Sequence, residues 1–185
     1  MLKDILTSTE TRMARAVDAF ERELSSMRAG RAHPGLLERI AVEYYGAVTP
    51  LQHLASISVP EARLLLVQPF DKGIVGAVEK ALLKADLGVS VRVDGSMLRV
   101  SVPALTEERR RSLVKQLRRQ LEEEKVAIRN IRRDAVDQLK QAAKDHAISE
   151  DEERRGQTDV QKLTDQYIRK LDGVAEARER DIMTP

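Results

Sequence analysis

Apolar residues in the N-terminal part of the chain recur with the period of an α-helix. Their spacings of three, four and seven residues place them on one face, as expected of a helix that packs on a core. The stripe consists of Leu2, Leu6, Met13, Ala16, Phe20, Leu24 and Met27. It predicts a first helix that ends near Arg28.

From Gly30 onward the pattern predicts a small module of strands around one helix. Pro34 and Gly35 interrupt the helical period, and β-forming residues then dominate. Helical spacing returns once, over 71–87, with Gly88 placed for a left-handed C-terminal cap. The predicted strands are 39–45, 55–59, 63–68, 89–93 and 97–102.

Two features of these strands allow more specific predictions. Residues 63–68 include consecutive apolar residues without alternation, which is typical of a central strand covered on both faces. Asp94 and Gly95 tolerate the positive φ angles of a two-residue hairpin turn. With the turn at these two residues, Val91 is predicted to face Leu98.

Two long amphipathic helices are predicted for the C-terminal half. Thr106 can cap the first, whose apolar stripe runs from Leu113 to Ala142 without Gly or Pro. Ser149 and Glu152 have the spacing of a capping box that starts the second. The link between the two helices is short, so we expect them to pack as antiparallel neighbours.

The order of these elements predicts an α+β fold with two domains. Residues 1–29 and 106–185 are expected to form a long three-helix bundle, into which residues 30–105 insert a small β/α/β sandwich module. The two chain segments that connect the domains lie at one end of the bundle. This arrangement predicts an L-shaped molecule with a hinge. The predicted hinge residues are Ala29, Gly30, Arg31, Pro103, Ala104 and Leu105.

Composition favours a helical globular protein without thiol or metal chemistry. The chain is 42% hydrophobic and 34% charged but only 3% aromatic, and it contains no cysteine. It has neither a charged and apolar leader nor an apolar run of membrane-spanning length, so we expect a cytoplasmic protein. His33, His53 and His146 are scattered, and no acidic cluster has metal-ligand spacing. We therefore expect no catalytic residue, no metal and no cofactor.

The net charge is only +2, but charged residues are distributed unevenly along the chain. Residues 105–135 contain ten Lys and Arg against six Asp and Glu. On a helical wheel, one row of cations spans an arc of roughly 100° and lies apart from the apolar stripe, so these side chains are expected to stay in water. The row consists of Arg111, Lys115, Arg118, Lys125, Arg129 and Arg132.

This row is open to more than one interpretation. Any long helix has a solvated face, so the cations could serve solubility in a helical adaptor that binds other proteins. Guanidinium groups, however, suit phosphates, which favours RNA as the partner. A membrane would need a free apolar face, which the bundle already uses. An enzyme would need converging groups around Asp71 or Glu79, and Tyr44 and Tyr45 lack the interleaved basic residues of a base-stacking sheet.

Five short segments together resemble the bacterial ribosome recycling factor family. Their order, their spacing and the length of the chain agree with that family at the same time. The segments are Arg28-Ala-Gly-Arg-Ala32, Glu43-Tyr-Tyr-Gly46, Leu105-Thr-Glu-Glu-Arg-Arg110, Arg129-Asn-Ile-Arg-Arg133 and Val160-Gln-Lys-Leu-Thr-Asp165. The resemblance covers essentially the whole chain.

The resemblance implies a monomer that binds the post-termination ribosome through large-subunit ribosomal RNA. With elongation factor G, it would promote dissociation into subunits and release from mRNA, while GTP is hydrolysed by that partner. The family's RNA-contacting positions correspond to Arg28, Arg31, Arg110, Arg129, Arg132 and Arg133. The other cations, Arg111, Lys115, Arg118 and Lys125, would form a secondary basic stripe.

The chain departs from the family pattern at two places. Ser90-Val91 stands where Asn-Pro is usual, and Ala104 stands where a second proline is common. Because proline fixes φ and restricts the preceding residue, we expect Ala104 to make the hinge less stiff.

Overall fold

The computed structural model describes residues 1–25, 27 and 30–184 and has the predicted α+β character. The helices are α1 (Leu2–Ser25), α2 (Val75–Lys84), α3 (Glu107–Lys144) and α4 (Glu150–Met183). The strands are β1 (Ala41–Tyr44), β2 (Ala47–Pro50), β3 (Ala55–Glu61), β4 (Leu64–Pro69), β5 (Ser90–Asp94) and β6 (Met97–Ser101). Three long helices and an inserted sheet confirm the predicted fold class.

The described residues form two compact units. Met1–Met27 and Glu108–Thr184 make up the helical unit, and residues 30–107 make up the sheet unit. Each has its own buried apolar cluster, as expected when a chain divides into separately packed parts. None of the described helices is long and apolar enough to cross a membrane.

The helical unit buries the apolar stripes of α1, α3 and α4 against one another. Met13 and Phe20 of α1, Leu117 and Ile128 of α3, and Leu171 of α4 are completely or almost completely buried. These are the residues that the helical period placed on the core face. Polar contacts join the helices at the edges of this core, as in the hydrogen bond from the Tyr167 hydroxyl to Glu10 Oε1 at 3.1 Å.

The start of α4 is fixed by the capping box expected from the sequence. The Glu152 backbone N–H donates to Ser149 Oγ at 3.1 Å, and the Ser149 N–H donates to Glu152 Oε2 at 2.8 Å. Two N–H groups at the helix start are thereby satisfied. His146 makes the preceding tight turn with a positive φ of 57°.

The sheet unit contains a four-stranded antiparallel sheet in the order β3-β4-β6-β5, and β1 and β2 form a separate hairpin. Leu65 and Val67 of β4 point into a core that also holds Val78 and Leu82 of α2. The strand β4 is internal in the sheet, as predicted. The expectation that both of its faces are covered is wrong, because Leu64 and the other residues of its second face are only half-buried or exposed.

The β5–β6 hairpin has a different register from the predicted one. Asp94 pairs with Met97, and Val91 lies opposite Val100 instead of Leu98. The turn therefore consists of Gly95 and Ser96, with the positive φ of 63° at the glycine. The shift of two residues leaves each side chain on its predicted face, so the apolar pattern alone does not distinguish the two registers.

Candidate nucleic-acid interface

The cations of α3 are displayed along an uninterrupted helix, but neighbouring helices divide them into two groups. One group borders α4 and bonds to it, while the other points away from the helix packing. The first group contains Arg118, Lys125 and Arg132. The second contains Arg129 and Arg133, which are exposed.

The cations that border α4 are held by its polar side chains. Arg118 Nη2 lies 2.6 Å from Glu179 Oε1, and Lys125 Nζ lies 2.8 Å from Asp172 Oδ1. Lys125 keeps only 17% of its side-chain exposure, so the expectation that the whole row stays in water is wrong for this residue. A helical wheel of α3 alone does not show where the acidic side chains of α4 lie.

Arg132 has an intermediate environment. Its side chain is half-buried, and Nη1 donates to Gln161 Oε1 of α4 at 3.4 Å. The partner is a neutral amide and not an acid, and the guanidinium has further N–H groups to donate. Arg132 is thus oriented by α4 without being neutralised.

Arg129 and Arg133 are accessible residues of the predicted site. Both are exposed, and within the described residues neither forms a hydrogen bond or an ion pair. They lie one turn apart, roughly 6 Å along the helix axis, and therefore on the same side. Lys140 is exposed on the same face two turns further on, although the helical wheel of the sequence did not select it.

The cations near the start of α3 differ in accessibility. Arg111 and Lys115 are exposed, whereas Arg110 is half-buried. The Nε atom of Arg110 is buried and, within the described part of the chain, lacks a hydrogen-bond partner. Part of the Arg110 side chain is therefore buried, and its Nε has no hydrogen-bond acceptor within the described part of the chain.

Two of the predicted hinge residues, Gly30 and Leu105, lie close to each other within the sheet unit. Gly30 has a positive φ of 70°, and a Cβ added there would lie 3.0 Å from Leu105 Cγ. Leu105 is half-buried, while Arg31, Pro103 and Ala104 are exposed. The other predicted residues of this region, Arg28 and Ala29, lie outside the described residues.

Acidic and basic groups at the helix contacts change the local electrostatics. Asp134 of α3 is paired with Arg12 of α1 at 3.1 Å, a contact between helices that the sequence alone did not indicate. Burial raises the pKa of Glu124, and the charges of Glu23 and Glu123 raise it further. Repulsion among these acids is thus part of the α1–α3 contact.

Residues of the alternative sites considered from the sequence contact one another. The Tyr44 hydroxyl lies 3.4 Å from Asp71 Oδ2, and burial followed by the charge of Asp71 raises the tyrosine pKa. Tyr45 packs edge-on against Tyr44 and is 86% exposed. Among the described residues, no group of three or more His, Cys, Asp or Glu side chains has a metal-binding arrangement.

Comparisons with known proteins agree with this architecture. The chain matches the family described as ribosome recycling factor over residues 20–183. The ribosome-recycling factor of Bacillus subtilis (strain 168) is 54% identical over 183 residues, covering 99% of both chains. That of Bacillus velezensis is 55% identical over 183 residues, again covering 99% of both.

Two solved structures also match the fold of this chain. A solution structure of the ribosome recycling factor has a TM-score of 0.77 at 41% identity and covers 98% of this chain and 97% of its own. A second match has a TM-score of 0.65, 43% identity and full coverage of both chains. It is the T. thermophilus ribosome recycling factor, described with E. coli elongation factor G bound to the E. coli post-termination complex.

The long helices, the inserted sheet and these matches define a factor of protein synthesis that is not an enzyme. The chain belongs to the ribosome recycling factor family. The resemblance noted from its short segments is thereby confirmed over the length of the chain.

Proposed function

We propose that this protein binds the post-termination ribosome and, with elongation factor G, promotes dissociation into subunits and release from mRNA. The observation that carries the proposal is similarity to ribosome-recycling factors over 99% of the chain. One structural match, moreover, is described together with elongation factor G on a post-termination complex. GTP is hydrolysed by that partner.

The proposed contact with large-subunit ribosomal RNA centres on the accessible arginines of α3. Arg129 and Arg133 present guanidinium groups that can bind phosphate oxygens, and Arg132 extends this group on the side facing α4. We add Arg28, Arg31 and Arg110 from the family resemblance. Of the secondary stripe, Arg111 and Lys115 are exposed, while the pairing of Arg118 and Lys125 makes them weaker candidates.

We also propose that the two compact units act as domains of a monomeric cytoplasmic protein. The chain passes between them twice, near Gly30 and near Leu105, and the predicted hinge lies at these crossings. A hinge of this kind allows the sheet unit to move as a body when elongation factor G acts on it. The bundle would meanwhile hold the RNA.

The competing interpretation is a helical adaptor whose cations serve only solubility. It predicts no affinity for RNA, whereas phosphate contacts predict affinity that falls as salt rises. Arg129 and Arg133 favour RNA as the partner. Within the described residues, no acidic side chain of a neighbouring helix pairs with either of them.

The test is a subunit-splitting assay with purified post-termination ribosomes. Light scattering or sedimentation is recorded with the protein, elongation factor G and GTP together, and then with each component omitted. We expect splitting only in the complete mixture. Absence of splitting there, with a known recycling factor active in parallel, would contradict the proposal.

A further inference from the structure

The four-stranded sheet has two edge strands, and they differ in how well they are protected. Among the described residues, β3 pairs only with β4, and β5 pairs only with β6. The β3 pairing shifts register between Ser58 and Glu61, and Pro60 has no N–H to donate. Bulges and prolines of this kind hinder another strand from pairing with a sheet edge. The β3 edge is therefore protected.

The β5 edge has neither form of protection. Its pairing with β6 keeps one register from Ser90 to Asp94, and the strand contains no proline and no glycine. Position 91 is also a place where this chain departs from the family pattern, since Val91 stands where proline is usual. The backbone N–H that a proline lacks is therefore present in this chain.

The backbone groups of two valines in β5 point away from β6. The two residues of the turn, Gly95-Ser96, make Asp94 and Met97 a hydrogen-bonded pair, and such pairs alternate with non-hydrogen-bonded ones along an antiparallel ladder. Val91 and Val93 therefore direct their N–H and C=O groups to the open side of β5. These groups form no hydrogen bond with another described residue. Two donors and two acceptors are thus available to a further strand.

The side chains of β5 indicate which segment the edge would accept. Val91 packs against the core of the sheet unit, and Val93, on the same side of the strand, is 41% exposed. Arg92 lies on the opposite face and forms no ion pair within the described part of the chain. Its cross-strand neighbour is Arg99, which is bonded to Asp94 at 3.2 Å. Like charges that lie opposite each other are unfavourable, so Arg92 would attract an acid placed beside it.

We infer that β5 is a docking edge for an extended segment of a protein partner in which an acidic residue lies between two apolar ones. The backbone of this segment would pair with Val91 and Val93, its apolar side chains would lie beside the valines, and its carboxylate would lie beside Arg92. None of the residues proposed to contact RNA lies on β5. The inference therefore goes beyond the proposed function and does not depend on it.

A second copy of this chain is a poorer occupant of the edge. Antiparallel pairing of β5 with itself along its full length would set Arg92 directly opposite the same residue of the copy. Two guanidinium groups would then repel each other across the new pair. A foreign segment with an acid at that position replaces this repulsion by attraction.

Nuclear magnetic resonance of the isotope-labelled full-length protein tests the inference. The probe is the peptide Thr-Val-Glu-Val-Thr with blocked ends. One control peptide has lysine in place of glutamate, and a second carries N-methyl groups on both valines, which removes the donors that would face β5. We expect the acidic peptide to shift the amide signals of Val91 and Val93. The lysine peptide should bind about fivefold more weakly, and the N-methylated peptide should not bind.

Substitutions separate the backbone contact from the charge contact. Val91→Pro removes an outward N–H without removing a hydrogen bond to β6, whereas Val91→Thr keeps that N–H. Val91→Pro should weaken binding of the acidic peptide about tenfold, and Val91→Thr should bind like the wild type. Arg92→Glu should prefer the lysine peptide. Arg39→Glu is the matched control, because Arg39 is an exposed arginine of the sheet unit outside β5, and it should leave the preference unchanged.

Several results would overturn the inference. They are unshifted Val91 and Val93 signals at the highest peptide concentration, equal binding of the N-methylated peptide, and equal affinities of Arg92→Glu and Arg39→Glu for the acidic peptide. Sedimentation of the protein alone should show a monomer. A dimer that Val91→Pro abolishes would assign the edge to a second copy and would also overturn the inference. If circular dichroism shows that Val91→Pro is unfolded, the comparison of Arg92→Glu with Arg39→Glu decides.

Discussion

At the scale of single residues, an existing ion pair affects how well a cation can bind RNA phosphate more than the position of that cation on the helical wheel does. Arg118 and Lys125 fall within the same arc as Arg129, yet acids of α4 bind them. Their attraction to RNA phosphate would have to compete with an existing ion pair. Arg129 and Arg133 have no such competitor within the described residues.

Replacement of Arg129 or Arg133 by alanine should weaken ribosome binding by about tenfold at low salt, the value of one charge-assisted hydrogen bond. The slope of log affinity against log salt should also decrease by about 0.7 to 0.9 for each phosphate that the variant no longer binds. Stability should hardly change, since both side chains are exposed. Binding of fluorescently labelled protein to large subunits, titrated at several salt concentrations, measures both quantities.

The matched control for these variants is Arg154→Ala. Arg154 is also an exposed arginine on a long helix, but it lies on α4 and is paired with Glu150 over one turn at 3.9 Å. It should leave the affinity and the salt slope unchanged. Equal losses in Arg154→Ala and Arg129→Ala would mean that only overall charge matters, and the proposed interface would be wrong.

The acids at the α1–α3 contact give a prediction about pH. Burial, Glu23 and Glu123 raise the pKa of Glu124, so the folded state binds this proton more tightly than the unfolded state. The ionised carboxylate therefore costs stability above its raised pKa, and the cost disappears as pH falls below the ordinary glutamate value. Glu124→Gln should stabilise the protein by about 0.5 kcal/mol at neutral pH, a value reduced for solvent screening.

Urea unfolding measured at pH about 7 and at pH about 4 tests this sign. The gain from Glu124→Gln should be present at the higher pH and largely absent at the lower one. Asp137→Asn serves as the control, since Asp137 is an exposed acid on the same helix. A gain that persists unchanged in acid would show that repulsion at Glu124 is not its cause.

At the scale of elements, two glycines of α4 have opposite environments. A Cβ at Gly156 would lie 2.8 Å from Leu2 Cδ1 and 2.9 Å from Leu139 Cδ2, whereas one at Gly173 would meet nothing within 4 Å. Gly156 thus lets α1 and α3 approach α4 closely. Gly173 only weakens the helix, by about 1 kcal/mol relative to alanine.

The two alanine substitutions should therefore differ in sign or strongly in size. Gly173→Ala should increase the free energy of unfolding by about 1 kcal/mol. In Gly156→Ala the same helical gain is opposed by overpacking that costs about 1–3 kcal/mol, because Leu139 is completely buried. Urea unfolding of both variants measures the difference. Equal stabilisation by the two substitutions would show that the three helices do not pack closely at Gly156.

Element types were predictable from the sequence where a local rule applies. The apolar period placed α1, α3 and α4, and the Ser149–Glu152 capping box marked the start of α4. The β5–β6 register was not predictable in this way, because Asp94-Gly95 and Gly95-Ser96 both make acceptable turns and both keep the valines on the same faces. The choice between them depends on tertiary packing.

At the scale of the whole molecule, the site was only partly visible in the sequence. A wheel of α3 indicated Arg129 and Arg132, but the pairing of Lys125 with Asp172 joins residues of two helices and has no local signal. The hydrogen bond from Arg178 to the Met27 carbonyl is harder still to anticipate, since it links chain segments 151 residues apart. Interactions between residues so far apart in the sequence depend on the three-dimensional fold, so local sequence patterns do not predict them.

The division into two compact units leads to a final prediction, that residues 30–105 fold when produced alone. Their core is self-contained, and it includes Leu65, Val67, Leu98 and Val100 at complete burial. The ends of the segment already meet where Gly30 packs against Leu105, so excision leaves no gap to close. A domain of this size has only about 3–5 kcal/mol of stability. We expect dispersed amide resonances and one cooperative unfolding transition.

Leu65→Ala provides the control in both the excised segment and the full chain. Removal of this buried side chain costs about 2–5 kcal/mol, enough to unfold the isolated segment. In the full chain it should remove the amide resonances of the sheet unit while the helical signal of α1, α3 and α4 persists, because that unit has its own core. Loss of both units together would show that they fold as one, and it would contradict the prediction that the sheet unit folds independently.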